Sequence, residues 1–472
     1  MLRVRSYGST PRLPIPSVTM AIGAKNKRNE PHGRGRGKVA VVLSGGGARG
    51  AYEAGALSVI VPALVERGET PTLFIGSSVG ALNAAGLGGL WHLGADAAVE
   101  AGLEIWRAVE KSAVIRPILA WQVPVTALRY AGGILSLPKV RVPSLLDPEP
   151  LRENLSRWID WSGLHRNIRS GVIDGVAVVA TAAASGRTVV FAEGAQEGLS
   201  DLARRRSHVI SYYQTRLAPE HVRASAAIPI FFPPVCVHSP RGAAGWYIDG
   251  GTRLNTPLKP ALDLGAERLV IVGMDSVSAP LDPGERLNGN GGPPDFGDGA
   301  LHVLQGRLVD PMIEDVRMLG NANLFFADGD SAANDYRAAR GKPPYRVVPY
   351  VFVAPKEHGA IGKLASQIFK ENYGGLGSIK GLKRLRRLIG LQDTDFRLLN
   401  RLLGAESPTH GELLSYLFFD HDFIEGMIEM GKADARRWLE EPPGLADPWQ
   451  IGPLDRFINE GRRGTAKRER VA

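Results

Sequence analysis

The sequence predicts an α/β fold in which a mostly parallel sheet carries helices on both faces. Two successive strand–loop–helix units support this prediction. The apolar run at residues 39–43 leads through a glycine loop into a helix from about Ala51, and the run at residues 72–75 leads into a helix of small residues from about Ala81. Consecutive units of this kind imply parallel strands joined by a right-handed crossover.

Other short apolar runs bounded by turn residues predict the rest of the sheet, at residues 175–181, 188–192, 245–248 and 268–273. A C-terminal section adds a strand at residues 350–353 and helical patterns at residues 301–319 and 412–439. Pro62 is expected to kink or split the first helix, because proline lacks an amide donor and clashes with the carbonyl four residues before it. Residues 275–299 are rich in Gly, Pro and Asp, which indicates a surface loop or a domain boundary.

The length and composition exclude several classes of protein. A chain of 472 residues, 44% hydrophobic and 22% charged, holds one large domain or two to three ordinary ones, and is neither wholly disordered nor a multispanning membrane protein. Its single cysteine, Cys236, excludes an intrachain disulfide and a four-cysteine zinc site. Neither an H-E-x-x-H motif nor an EF-hand loop is present, so no metal or other cofactor is expected.

The positive charge is concentrated at the two ends. Of the formal charge of +9, residues 1–36 contribute +7 and residues 456–472 contribute +4, which leaves −2 for the body. We therefore expect a disordered basic arm and a basic tail that favour anionic lipid, without specific nucleic-acid binding. The arm lacks the apolar segment of a secretory signal and no run is long enough to span a bilayer, so a cytoplasmic protein is expected.

Residues 76–80 read Gly-Ser-Ser-Val-Gly and fit the pattern G-x-S-x-G. In this pattern the central serine, here Ser78, lies on a sharp strand-to-helix turn, and Gly76 and Gly80 keep the backbone free of clashes. The motif follows a predicted strand and opens a predicted helix. Ser78 is therefore expected to expose its Oγ atom at the carboxyl edge of the sheet, the alternative being a tight turn with no chemical role.

A glycine loop follows the first strand and consists of Gly45, Gly46, Gly47, Ala48, Arg49 and Gly50. The crossover places this loop on the same sheet edge as Ser78. Its glycines permit positive φ and close approach of a ligand, and amides at a helix start can face a developing negative charge. The loop therefore predicts an oxyanion hole supported by Arg49. A helix-capping turn is the alternative, whereas a phosphate loop is excluded because no G-K-[ST] follows.

The third motif is Asp249-Gly250-Gly251, which follows a predicted strand, so its carboxylate is also expected at a strand end. An exposed Asp-Gly pair is most often only a turn. In the company of a glycine loop and a serine elbow, however, Asp249 is a candidate general base for Ser78.

These motifs together make the chain resemble the patatin-like phospholipase family, in its bacterial form. The glycine loop matches the family's G-G-G-x-R-G, residues 76–80 its G-x-S-x-G, and residues 249–251 its D-G-G/A. The segment at residues 224–235 resembles the block before the aspartate, and Asn255-Thr256-Pro257 resembles the block after it. The resemblance covers about residues 38–273, and the helical pattern from residue 418 to 439 is similar to bacterial members.

The resemblance implies a three-layer α/β/α sandwich with an added, largely helical C-terminal section. The expected organisation is a disordered arm at residues 1–36, a catalytic domain at 37–275, a C-terminal section packed on it at 276–455 and a tail at 456–472. The implied function is a serine acyl hydrolase that cleaves carboxylic esters of phospholipids or related lipids, of phospholipase A, lysophospholipase or lipase type. Ser78 would form an acyl-enzyme, Asp249 would act as base, and the amides of Gly46, Gly47 and Ala48 would stabilise the oxyanion.

Two alternatives remain open on the residues alone. The first is a conventional Ser/His/Asp esterase, with a histidine drawn from His302, His358, His410 and His421. No motif connects any of these to Ser78, so each is more typical of a surface or hydrogen-bonded histidine, as is His92. The second alternative is a lipid-binding protein that retains the fold without turnover.

Two segments bear on lipid access. Residues 114–142 are apolar with few charges and predict either a lid or acyl channel or a buried part of the core. Residues 382–389 place leucines three apart with cations between them. This pattern predicts either a basic amphipathic helix that contacts the inner membrane face or an ordinary surface helix.

Overall fold

A computed structural model of the chain describes residues 37–116, 144, 146–194, 209–274, 276, 311–327, 331–341, 344–373, 410–441 and 447–454. Several predictions lie outside the described residues. These are the predictions for the arm and the tail, for most of the apolar segment at 114–142 and of the loop at 275–299, for the basic segment at 382–389, and for His302.

The described strands form one nine-stranded sheet, with β5-β4-β3-β2-β1-β8-β9 as its main order. The strands are β1 (Val39–Leu43), β2 (Leu73–Ser77), β3 (Gly175–Ala182), β4 (Thr188–Gly194), β5 (Ile210–Gln214), β6 (Val235–Val237), β7 (Gly245–Asp249), β8 (Arg268–Val272) and β9 (Tyr350–Val353). β1 pairs in parallel with β2 and β8, as β2 does with β3, β4 with β5 and β8 with β9. β3 pairs antiparallel with β4 and β7, and β7 with β6.

The helices surround this sheet. In chain order they are α1 (Gly50–Glu66), α2 (Val79–Leu90), α3 (Ala95–Ala108), α4 (Lys111–Val114), α5 (Glu149–Trp158), α6 (Trp161–Arg169), α7 (Pro219–Ser225), α8 (Leu258–Asp263), α9 (Pro311–Ala327), α10 (Ser331–Ala338), α11 (Ala360–Tyr373), α12 (His410–Leu417) and α13 (His421–Glu440). Short 3-10 turns lie at Gly47–Arg49, Trp91–Leu93, Arg241–Ala243 and Gly250–Thr252. Within the described ranges, no helix has both the length and the apolar character needed to cross a bilayer.

Every residue of β1, β2 and β9 is buried. Successive side chains of a strand point to opposite faces of a sheet, so both faces of these strands must be covered. α2 packs on β2 and β3, and α8 packs on β1 and β2. The predicted three-layer arrangement around a mostly parallel sheet is confirmed.

The C-terminal helix α13 packs directly on α1. A Cβ atom added to Gly55 would lie 2.2 Å from the carbonyl oxygen of Ile428, and one added to Gly431 would lie 2.2 Å from that of Tyr52. The hydroxyl of Tyr52 also donates a 2.9 Å hydrogen bond to Asp434. The two helices therefore touch backbone to backbone, and the C-terminal section shares a core with the sheet.

The predicted helices differ from the structure at two places. α1 continues through Pro62 to Glu66, so the predicted split does not occur, and Ile60, Val61 and Leu64 around the proline are fully buried. The predicted helix at residues 412–439 is two helices, α12 and α13. α12 ends at Leu417, and Asp420 caps α13, since its carboxylate accepts hydrogen bonds from the amides of Asp422 and Phe423.

Candidate active site

Ser78 lies at the turn from β2 to α2. Its backbone angles are φ 53° and ψ −123°, a conformation that few residues other than glycine adopt. The amide of Ser78 donates a 2.8 Å hydrogen bond to Ser225 Oγ, and that hydroxyl donates in turn to the carbonyl oxygen of Val179 at 2.5 Å. The strained residue is therefore held by α7 and β3 together.

The two glycines of the motif make this turn possible. A Cβ atom at Gly76 would lie 2.0 Å from the carbonyl oxygen of Gly80. One at Gly80 would lie 2.4 Å from the carbonyl oxygen of Leu43, the last residue of β1. The backbone of the turn therefore packs closely on itself and on the end of β1, just before the glycine loop.

Asp249 reaches Ser78 because two strands meet end to end along one edge of β3. β2 runs parallel to β3, and its last residue, Ser77, lies opposite Val179. β7 runs antiparallel to β3, and its last residue, Asp249, lies opposite the next position, Ala180. Asp249 does end a strand, as the sequence predicts, but that strand approaches the sheet edge from the opposite direction.

The two side chains are hydrogen-bonded and buried. Ser78 Oγ donates to Asp249 Oδ2 at 2.6 Å, while Asp249 Oδ1 accepts from the amide of Gly251 at 2.7 Å. Burial raises the pKa of Asp249 to about 7, although both hydrogen bonds act to lower it. A carboxylate with this pKa can take up and release a proton near neutral pH.

The glycine loop has two kinds of backbone amide. Three are engaged within the protein: that of Gly45 with Asn255 Oδ1 at 3.0 Å, that of Arg49 with the oxygen of Gly46 at 3.2 Å, and that of Gly50 with the oxygens of Gly47 and Ala48. Three find no acceptor among the described residues: those of Gly46, Gly47 and Ala48. The loop therefore offers three donors, while its other members fix its shape.

Arg49 anchors the loop to α12. Its side chain is 2% exposed, and its Nε atom donates to Ser415 Oγ at 2.7 Å. Its Nη2 atom donates to Glu412 Oε2 at 2.6 Å and to the carbonyl oxygen of the same residue. The guanidinium also lies 4.1 Å from the ring centroid of Tyr416, whose carbonyl oxygen would be 2.1 Å from a Cβ atom at Gly47. The predicted support of the loop by Arg49 thus depends on the C-terminal section.

A buried carboxyl group on α1 connects the residue before the glycine loop to α2. Glu53 Oε1 accepts from the amide of Ser44 at 2.7 Å, and Oε2 accepts from Asn83 Nδ2 at 2.8 Å. Burial raises the pKa of Glu53 well above its usual value. The contact ties the end of β1 to the helix that follows Ser78, and nothing in the sequence motifs indicated it.

An apolar pocket opens beside Ser78. It lies between α2, α3 and α5 and is closed on another side by residues that follow α7. Its lining, within the described residues, includes Leu82, Leu87, Val99, Ile105, Trp106, Leu151, Leu155, Trp158, Ile228 and Phe232. Val114, the first residue of the predicted lid or channel segment, is also part of the lining.

Neither of the two candidate histidines whose side chains are described is hydrogen-bonded to Ser78 or Asp249. His358 is exposed ahead of α11, and His421 is exposed at the start of α13. His302 and the side chain of His410 are outside the described residues. The hydrogen bonds of the Ser78 and Asp249 side chains involve no histidine of the described residues. His92 bonds the carbonyl oxygen of Gly89 at 3.1 Å, which fits a structural role.

Sequence reasoning missed several residues that build the site. Ser225 and Asn255 fall in blocks that the sequence analysis singled out, but neither was given a role. Glu412 and Ser415 are more than 360 residues from Arg49, and no local pattern links them to the loop. Only the tertiary structure brings them together.

Comparison with known proteins identifies a family for the site-bearing region. The model of a family described as patatin-like phospholipase matches residues 41–262. No curated protein matches the chain by sequence. Among solved structures, VipD from Legionella pneumophila is similar at 14% identity and a TM-score of 0.26, over 84% of this chain and 67% of VipD. ExoU from Pseudomonas aeruginosa, in complex with SpcU, is similar at 15% identity and a TM-score of 0.24, over 86% of this chain and 78% of that one.

Proposed function

Residues 41–262 belong to the patatin-like phospholipase family, a family of lipid ester hydrolases, and from that premise we propose a Ser78/Asp249 dyad that cleaves acyl esters of phospholipids or related lipids. The observation that carries the proposal is the 2.6 Å hydrogen bond between Ser78 Oγ and Asp249 Oδ2 beside an apolar pocket. The reaction is of phospholipase A, lysophospholipase or lipase type.

In the acylation step, Ser78 Oγ attacks the carbonyl carbon of the ester and its proton passes to Asp249 Oδ2. The tetrahedral intermediate then collapses, the bond to the leaving alcohol oxygen breaks, and the proton moves from Asp249 to that oxygen. The pKa of about 7 supports this role, because a base of that strength accepts and returns a proton at little cost near neutral pH.

The oxyanion of the tetrahedral intermediate is stabilised by the amides of Gly46, Gly47 and Ala48. Two observations support this role. All three amides lack an acceptor among the described residues, and Gly47 lines the same pocket as Ser78. Donors held in place before the reaction stabilise developing charge without reorganising. Asn255 and Arg49 fix the loop on either side of these donors.

In the deacylation step, water attacks the acyl carbon and gives its proton to Asp249. The bond between the acyl carbon and Ser78 Oγ then breaks, and the proton returns to the serine. The fatty acid leaves, and the hydrogen bond between Ser78 and Asp249 forms again. The cycle uses only the two side chains, the loop amides and water.

We further propose that the protein engages anionic membranes from the cytoplasmic side without spanning them. The support is the charge distribution, since the ends carry the basic residues and the body is close to neutral. An apolar pocket that opens beside Ser78 also suits a substrate drawn from a lipid surface.

The test is fatty-acid release from a panel of phospholipids, lysophospholipids and glycerides. Ser78→Ala should abolish release, while the neighbouring Ser77→Ala is the matched control, because Ser77 Oγ has no hydrogen-bond partner in the described part of the chain. Release by Ser78→Ala at the wild-type rate would overturn the proposal. Lipid binding without release by the wild type would favour the alternative of a binding protein.

A further inference from the structure

The pocket runs along α2, starting at Ser78. Ser78, Leu82, Gly86 and Leu90 all line it, and their spacing of four residues places them on one face of the helix. Since a helix rises about 1.5 Å per residue, Gly86 lies about 12 Å beyond Ser78 along the axis and Leu90 about 18 Å beyond it. The pocket therefore has the form of a narrow cleft that leads away from the proposed nucleophile.

α3 forms the facing wall. Near the Ser78 end, Trp106 Nε1 donates to Asn83 Oδ1 at 2.9 Å. Further along, a Cβ atom at Gly102 would lie 4.0 Å from Leu87 Cδ2, and no other neighbour from the described ranges comes within that distance. Gly102 therefore stands at the depth of Gly86 on the opposite wall, one helical turn deeper than Trp106.

Gly86 differs from the other glycines of α2. Cβ atoms at Gly80, Gly88 and Gly89 would lie 2.4, 2.6 and 2.7 Å from neighbouring atoms, so close packing requires glycine at those positions. A Cβ atom at Gly86 would meet no atom of the described residues within 4 Å. Glycine is unfavourable inside a helix compared with alanine, and packing does not require it here. The space that Gly86 leaves open belongs to the pocket.

We propose that Gly86 and Gly102 make room for long fatty acyl chains, and that they set the chain length the enzyme accepts. The inference rests on the proposed function, because it places the acyl carbon at Ser78. An extended chain advances about 1.2 Å per bond, so an acyl group reaches Gly86 after roughly ten carbons. Acyl chains longer than this pass between the two glycines, and shorter ones end before them.

The test is a series of p-nitrophenyl esters from four to sixteen carbons, assayed with the wild type, Gly86→Leu and Gly102→Leu. In both variants the ratio of kcat/KM for twelve-carbon to four-carbon esters should fall roughly tenfold or more, the scale of discrimination that pocket size produces. Ala108→Leu is the matched control, since it adds a leucine side chain at an exposed position of α3 outside the pocket lining. Its chain-length profile should equal that of the wild type.

A second pair of variants separates an effect of pocket size on chain-length preference from an effect on the stability of the fold. Gly86→Ala should raise the melting temperature, while Gly88→Ala should lower it, because only the second drives a methyl group into Val176. Gly86→Ala should also shift the profile toward shorter esters, despite its greater stability. A merely structural glycine would not combine a gain in stability with a loss of long-chain activity.

The results distinguish a failure of the proposed hydrolase function from a failure of the inference about acyl chain length. A wild type that lacks Ser78-dependent hydrolysis of every ester overturns the proposed function and this inference with it. A wild type that hydrolyses esters through Ser78, with the same chain-length profile in folded Gly86→Leu and Gly102→Leu, overturns the inference alone.

Discussion

Arg49 and Glu412 form a 2.6 Å ion pair between residues 363 positions apart in the chain. Arg49 belongs to the glycine loop, and Glu412 belongs to α12, beyond the region that the family model matches. Glu412 Oε1 also accepts from the amide of Gly362 at 3.0 Å, which joins α11 to the same contact. We therefore propose that the C-terminal section contributes to the active site by holding the proposed oxyanion donors in position.

Glu412→Ala should lower both stability and turnover. Removing Glu412 leaves the charge of the buried Arg49 guanidinium uncompensated, so the free energy of unfolding should fall by about 3 kcal/mol. The loop amides should lose their alignment, and kcat should fall roughly 10- to 100-fold with little change in KM, because these donors act on the transition state. Denaturant unfolding and steady-state kinetics measure the two effects.

Two further variants control this prediction. Glu412→Gln keeps an oxygen acceptor for Arg49 and should recover part of the lost kcat. Glu429→Gln removes an exposed ion pair of α13 with Lys432 and should behave as the wild type, since such pairs contribute little. Equal kcat values for Glu412→Ala and the wild type would contradict a role for the C-terminal section in catalysis.

The raised pKa of Asp249 predicts the pH dependence of hydrolysis. A general base must be deprotonated, so kcat/KM should rise about tenfold per pH unit below pH 7 and level off above it. The measurement is kcat/KM between pH 5 and 9, with circular dichroism at each pH to show that the protein stays folded. A flat profile down to pH 5 would show that Asp249 keeps an ordinary pKa or is not the base.

The same pKa predicts a pH-dependent stability difference. In the folded protein Asp249 holds its proton up to about pH 7, against an ordinary value of 3.8, so its ionisation costs stability as pH rises through that window. Asp249→Asn avoids this cost. Its stability advantage over the wild type should grow between pH 4 and pH 8 by on the order of 4 kcal/mol. Urea unfolding at several pH values tests this, and a constant difference would refute it.

Much of the sheet could be predicted because its central strands have a clear sequence pattern. β1, β2 and β8 are short apolar runs followed by glycine or turn residues, so their bounds are clear in the sequence. β5 lies at the sheet edge and mixes buried and exposed residues, and β6 has only three residues. Neither produces a pattern long enough to be recognised.

The residues of the candidate active site could be predicted from the sequence, but their tertiary arrangement could not. Glycine loops and elbows carry local motifs because close backbone contacts restrict the residue types that fit. The antiparallel approach of β7 beside β2 depends on pairing with β3, which no motif records. The same holds for the C-terminal support of Arg49, which involves residues hundreds of positions away.

Membrane binding should be electrostatic. Each Lys or Arg near an anionic bilayer contributes about 1 kcal/mol, and the attraction decays within a Debye length of about 8 to 10 Å. Sedimentation with vesicles should show binding that rises with anionic lipid and weakens with salt. Neutralising Lys383, Arg384, Arg386 and Arg387 together, or removing residues 1–36, should reduce it.

The alternatives to this prediction have distinct signatures. Binding to neutral vesicles that is insensitive to salt would instead assign the contact to the apolar segment at residues 114–142. Tight, salt-sensitive binding to nucleic acid without a preference for lipid would assign the basic ends to a different partner.

The central claim is that Ser78 carries the acyl group and that Asp249 activates it. The most direct measurement is mass spectrometry of the protein quenched during hydrolysis of a long-chain ester. We predict an acyl adduct on Ser78 in the wild type and in Ser77→Ala, none in Ser78→Ala, and a rate of adduct formation reduced roughly 100-fold or more in Asp249→Asn. His358→Ala and His421→Ala should form the adduct at the wild-type rate. An adduct on another residue, or its loss in a folded histidine variant while Asp249→Asn reacts normally, would contradict the account.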